Sequence, residues 1–112
     1  MALGWTTPPV TLEERDFSDL ALACAEEPSL IEAWLAGRER LLDGEDVLAV
    51  AFVVDEPLGA SERPEMIALI ERLTPVVSDF GLDVRSWAFV SPVTAEREIA
   101  ECGRRIYAAD TL

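Results

Sequence analysis

Residues 47–55 read V-L-A-V-A-F-V-V-D. The run is apolar at every position before Asp55 and rich in valine. A strand that buries only one face alternates apolar and polar residues, whereas this run does not. It predicts a central strand covered on both faces. The loop E-P-L-G-A-S-E-R (56–63) follows, and Pro64 opens a helix at a favoured first-turn position. Met66, Ile67, Leu69, Ile70, Leu73, Val76, Val77 and Phe80 then recur at spacings of three and four, which is helical periodicity. Pro75 removes a backbone donor inside that helix and predicts a kink, and Gly81 supplies its C-terminal cap. The next run, D-V-R-S-W-A-F-V (83–90), reads as a strand, with Val84, Ser86, Ala88 and Val90 on one face and Arg85, Trp87 and Phe89 on the other. Pro92 stops it. Strand, helix and strand together predict a right-handed βαβ unit.

Upstream of this unit, S-L-I-E-A-W-L-A-G-R-E-R-L (29–41) supports two readings. Leu30, Ile31, Trp34 and Leu35 fit one face of a helix. Asp43-Gly44 instead signals a hairpin turn, which would make Ile31 to Arg40 a strand antiparallel to 47–55. Thr11 and Glu14 form a T-x-x-E capping box. Leu12, Phe17, Leu20, Ala21 and Cys24 line one face of the helix that follows, which ends before Pro28. Residues 1–10, with Pro8-Pro9, read as an irregular lead-in, from which Trp5 either folds back or hangs loose. Downstream, Thr94 caps a last helix with Ile99, Cys102, Gly103 and Ile106 inward and Arg104-Arg105-x-Tyr107 at its end. The expectation is one α+β domain over 11–112, in the order α-β-β-α-β-α. Its mixed sheet has three or four strands covered by helices.

Composition limits the chemistry. The 112 residues include no histidine, lysine, asparagine or glutamine, and 22 Asp and Glu face 9 Arg for a net charge of −13. Such a surface repels nucleic-acid phosphates and anionic membranes, and attracts basic proteins. Solubility is the plainer reading of the same acidity. The lead-in lacks the basic and apolar regions of an export signal, and the longest apolar run is too short to span a bilayer. Cys24 and Cys102 read as buried small hydrophobes in a reducing, cytoplasmic setting.

Motifs with known chemistry are absent or misleading. Asp43, Glu45 and Asp46 cluster in a turn, but the order of an EF-hand loop is missing, and a solvated turn is the simpler account. Asp55-Glu56 ends the central strand, a common ligand position in α/β sheets. Asp79-Phe80-Gly81 matches a kinase triplet without the catalytic loop, glycine-rich loop or lysine that kinases need. Neither the serines nor the cysteines have an imidazole or amine to activate them. No cofactor or metal is expected. By contrast, Trp34, Arg85, Trp87, Phe89, Arg104, Arg105 and Tyr107 are of the types that dominate protein interfaces.

The segments L-A-L-A-C-A-E-E-P-S-L-I-E-A-W-L-A (20–36), L-A-V-A-F-V-V-D (48–55), D-V-R-S-W-A-F-V-S-P (83–92) and I-A-E-C-G-R-R-I-Y (99–107) carry a resemblance. In that order they resemble the C-terminal domain of the enhanced serine sensitivity (SseB) family. That pattern has a V-x-x-A-Y-L-type segment where Ile31, Ala33, Trp34 and Leu35 stand, which favours the strand reading of 29–41. Its closing motif is met by Gly103 and Tyr107, with Arg104 and Arg105 in place of proline and an aromatic residue. The resemblance implies a small bacterial α+β module without catalytic residues.

The sequence therefore points to a non-enzymatic protein-interaction module. An acidic immunity protein or secretion chaperone that neutralises a basic partner is the alternative. A carboxylate-metal enzyme using Asp43, Glu45, Asp46 or Asp55 is the third reading. An uncovered edge strand would also permit a homodimer.

Overall fold

The computed structural model describes residues 4–9, 14–39 and 46–109. The Thr11 cap, the Asp43-Gly44 turn, and the carboxylates of Asp43 and Glu45 lie outside them.

The 47–55 run forms β3, Asp46–Val53, with Leu48 to Val53 all buried. Residues 29–41 resolve in favour of the strand: β2, Glu32–Glu39, pairs antiparallel with β3 from Glu32↔Val53 to Glu39↔Asp46. The helical spacing of Leu30, Ile31, Trp34 and Leu35 was coincidental. As strand residues, Ala33 and Leu35 pack with one core cluster, and Trp34 and Ala36 with the other.

The helix α2, Pro64–Asp79, crosses from β3 to β4, Val84–Val90, which lies parallel to β3. Met66, Leu69, Leu73 and Val77 are its buried stripe. Gly81 ends it in a Schellman arrangement, with φ of 73°, Gly81 N–H donating to Ser78 O at 2.9 Å and Leu82 N–H to Val77 O at 2.9 Å. The first helix, α1, Glu14–Ala25, buries Leu20, Ala23 and Cys24. It lies beside α2, and both cover the same face of the sheet.

Two elements differ from expectation. The segment read as an irregular lead-in contains a short strand, β1, Trp5–Thr6, paired with Arg38 and Gly37 of β2. Arg38 stacks over the Trp5 ring at 4.7 Å. A Cβ on Gly37 would run into Thr6 Oγ1 and, at 2.6 Å, the Thr7 carbonyl oxygen, so β1 can lie there only against glycine.

The second difference is at the C-terminal end. The last helix does not run through Tyr107. Ser91 caps it, accepting a bond from Thr94 N–H at 3.2 Å. The helix, α3, covers Pro92–Thr94 and continues as a single π-turn over Ala95–Ile99. The chain then reverses at Gly103, whose Cβ would lie 2.9 Å from Ile99 Cγ2 and 3.2 Å from Leu35 O. Arg104–Ala108 becomes strand β5, antiparallel to β2.

Among the described residues, the result is a five-stranded mixed sheet. The strands β1 and β5 share one edge of β2, β3 is central, and β4 forms the opposite edge. One face carries α1 and α2 over a core centred on Phe52. Ala51, Val53 and Val90 on the other face meet Ala95 and Ile99 of the α3 π-turn.

Candidate functional site

The seven residues singled out from the sequence fall into separate places. Trp87 and Phe89 turn toward the α1/α2 face and pack on Phe52, with ring centroids 5.9 Å and 5.4 Å away. Arg85 does not join them. Leu48 faces Val84 and Ala49 faces Ser86, so Arg85 is an extra residue in β4, a bulge. Its Nε donates to Asp83 Oδ2 at 2.7 Å. Strict alternation along 83–90 missed this, because one inserted residue shifts every position on one side of it.

Trp34 lies on the opposite face. Its Nε1 donates to Glu32 Oε1 at 3.4 Å, and Arg105 donates to Glu32 Oε2 at 3.3 Å. Arg104 points to the α1 face instead, over the Phe17 ring at 4.3 Å. Tyr107, half-buried, packs against the core beneath α1. The structure therefore brings Trp34 and Arg105 together at Glu32, and places Arg104 and Tyr107 beside α1.

Beside β5, Ser18, Ala21, Leu22 and Ala25 of α1 meet Ile106, Tyr107 and Ala108 in an apolar groove of about 560 Å³. Leu22 is 68% exposed at its rim. Among the described residues, β5 pairs only with β2. Ala109 N–H donates to Ile31 O at 2.8 Å. Backbone groups alternate direction along a strand, so the Ala108 amide faces away from β2, into the open edge. Sequence reading missed this groove because it treated 104–108 as helix.

Carboxylates gather less tightly. Asp46 accepts from Thr6 Oγ1 at 3.0 Å, and with Asp83, Arg85 and Pro9 it borders a polar hollow of about 350 Å³. Asp55 is exposed, and Glu56 meets Arg63 through its carbonyl at 2.7 Å and its carboxylate at 3.7 Å. Among the described residues, no three His, Cys, Asp or Glu side chains are placed to hold a metal ion. Cys24 is fully buried, and desolvation pushes its thiol up to about 12 against a smaller opposing pull from Arg72. Burial also raises the Cys102 thiol. Neither is a ready nucleophile.

No described helix is long and apolar enough to cross a membrane. The fold defines a small two-layer α+β domain with an additional π-turn on its second face. Compared with family models, curated proteins and solved structures, the chain matches none.

Proposed function

We infer that this chain is a non-enzymatic protein-interaction module whose docking surface is the β5 edge and the groove beside α1. One observation carries this reading: a strand edge that is unpaired among the described residues lies against an apolar groove rimmed by an exposed Leu22. Strand addition needs both parts. Main-chain bonds hold the incoming segment, and a side-chain slot selects it. The partner presents an extended segment with small apolar side chains toward Ala21, Ala25 and Ile106. Arg104, stacked over Phe17 on the α1 side, suits a carboxylate carried by that segment, whereas Arg105 is engaged with Glu32 on the other face. The resemblance to the SseB C-terminal domain supports the same class of function in a bacterial cytoplasm.

A second reading rests on the net charge of −13. A basic partner would then bind the acidic surface, as an immunity protein or secretion chaperone does, with an affinity that falls steeply with salt.

The test is affinity capture from the source cell with the native chain and with Leu22→Asp. The native chain should retain a defined protein partner that the variant loses, with little change on raising salt. Capture that salt abolishes and Leu22→Asp leaves intact would favour the charge-based reading. Turnover abolished by one carboxylate substitution would overturn both.

A further inference from the structure

The other edge of the sheet has a different character. Val90 O accepts from Val54 N–H at 3.0 Å, so the backbone groups of Val90, Ala88 and Ser86 face β3. Those of Trp87 and Phe89 consequently point outward. Among the described residues, no strand pairs with this side of β4. Edge strands are normally protected by lysine, proline, shortness or a cover. Here β4 is seven residues long, and from Ser86 to Val90 it has neither charge nor proline. Its single bulge, at Arg85, lies near one end.

The helix above adds apolar surface beside this neutral strand. Arg72, on one flank of α2, reaches α1 by donating to Ala23 O at 3.1 Å and pairing with Glu26 at 2.9 Å. At 100° per residue, the opposite flank holds Ile67, Ile70 and Thr74, with Arg63 at its start and exposed Glu71 beside Ile67, and it turns away from α1 toward the β4 edge. Ile67 is 43% exposed there, while Ile70 packs on the core cluster shared with Trp87 and Phe89. An uncharged strand segment, Ser86 to Val90, beside outward backbone groups is conspicuous on a chain of net charge −13.

We propose that this edge is a homodimer interface in which β4 pairs antiparallel with β4 of a second copy about a two-fold axis at Ala88. A second copy suits the strand because Ser86 to Val90 is uncharged on both sides of such an interface, so no charge is buried where the two strands pair. With Ala88 on the axis, Trp87 faces Phe89 of the second copy, and the relation repeats by symmetry. Their outward backbone groups form hydrogen-bonded pairs, and aromatic residues stand opposite aromatic residues. Arg85 falls opposite Ser91, so no like charges meet. Pairing ends at Pro92, which has no N–H to donate. The two sheets become one continuous sheet across the axis, and the Ile67 flanks of both α2 helices close over it. The β5 edge stays free at both ends.

Sedimentation equilibrium of the full chain should give twice the 12.3 kDa monomer mass. The dimer should tighten between about 0.02 M and about 0.5 M salt, as screening reduces repulsion between two acidic bodies. Ala88→Glu and Ala88→Arg should each be monomeric alone, because they place like charges across the axis, and should form a 1:1 heterodimer when mixed. Ala88→Cys, in a Cys102→Ser background, should oxidise to a covalent dimer. Opposed Cα atoms in a non-hydrogen-bonded antiparallel pair are about 4.5 Å apart, within disulfide reach. A monomer at every concentration and salt would overturn the proposal. So would a dimer that persists in Ala88→Glu, or an Ala88→Cys chain that fails to cross-link. Loss of partner capture by Leu22→Asp concerns the opposite edge and leaves these outcomes unchanged.

Discussion

Cys24 shows how far a single residue's surroundings set its chemistry. It is packed among Leu20, Leu30 and the other residues of the α1/α2 core, and burial holds its thiol near 12 against an ordinary 9.0. A thiol raised on folding favours the native state at every pH below 9.0. That contribution is lost as pH climbs from 9.0 toward about 12, because the unfolded chain releases the proton first. The chain has no lysine, and Cys102, whose thiol burial also raises, adds to the slope in the same direction. Unfolding stability should therefore fall above pH 9.0, at no more than about 1.4 kcal/mol per pH unit from this group. Cys24→Ala should flatten the slope in alkaline urea titrations. In the native chain, an alkylating reagent should label half-buried Cys102 well before Cys24, and equal labelling would show that the α1 core opens readily.

Gly103 decides the largest difference between sequence reading and structure. Ala in its place would meet Ile99 and the Leu35 carbonyl at 2.9 to 3.2 Å, against the very strand that β5 must join. Gly103→Ala should cost about 1–3 kcal/mol in urea unfolding and speed exchange of the Tyr107 amide, which faces β2. Gly4→Ala, with nothing within 4 Å of the added carbon, should be near neutral. The βαβ unit was legible because its signals agree: an apolar run, a long helical stripe with proline first and glycine last, and a second apolar run. Downstream, Ile99, Cys102, Gly103 and Ile106 imitate a helical stripe. Only the steric demand at Gly103, a contact between distant segments, breaks it. Short β1 was hidden for the same reason, since Trp5–Thr6 is a strand only because Gly37 lets it approach. Of the residues singled out by type, Trp87 and Phe89 share one strand face, as alternation expects, and pack on Phe52. The bulge that separates Arg85 from them depends on pairing with β3, which no local pattern records.

For the whole molecule, the excess of 22 acidic over 9 basic groups means that the folded chain repels itself more than the expanded one. Raising salt from about 0.02 M to about 0.5 M should raise the thermal midpoint through screening. A midpoint that falls with salt would mean that favourable ion pairs outweigh the repulsion. The described ion pairs, Arg72–Glu26, Arg85–Asp83, Arg105–Glu32 and Arg63–Glu56, are all at least partly exposed and should contribute little individually. On the proposals above, the β4 edge, which has no further strand partner among the described residues, takes a second copy of this acidic chain, and the β5 edge takes a partner segment.

Residue-resolved amide exchange tests that division of labour most directly. In the dilute chain, the Trp87, Phe89 and Ala108 amides should exchange quickly while those of Ser86 and Ala88 stay protected. Concentrating the chain should slow Trp87 and Phe89, and adding the captured partner should slow Ala108. Outward amides already protected in the dilute chain, or unmoved by both additions, would contradict the account.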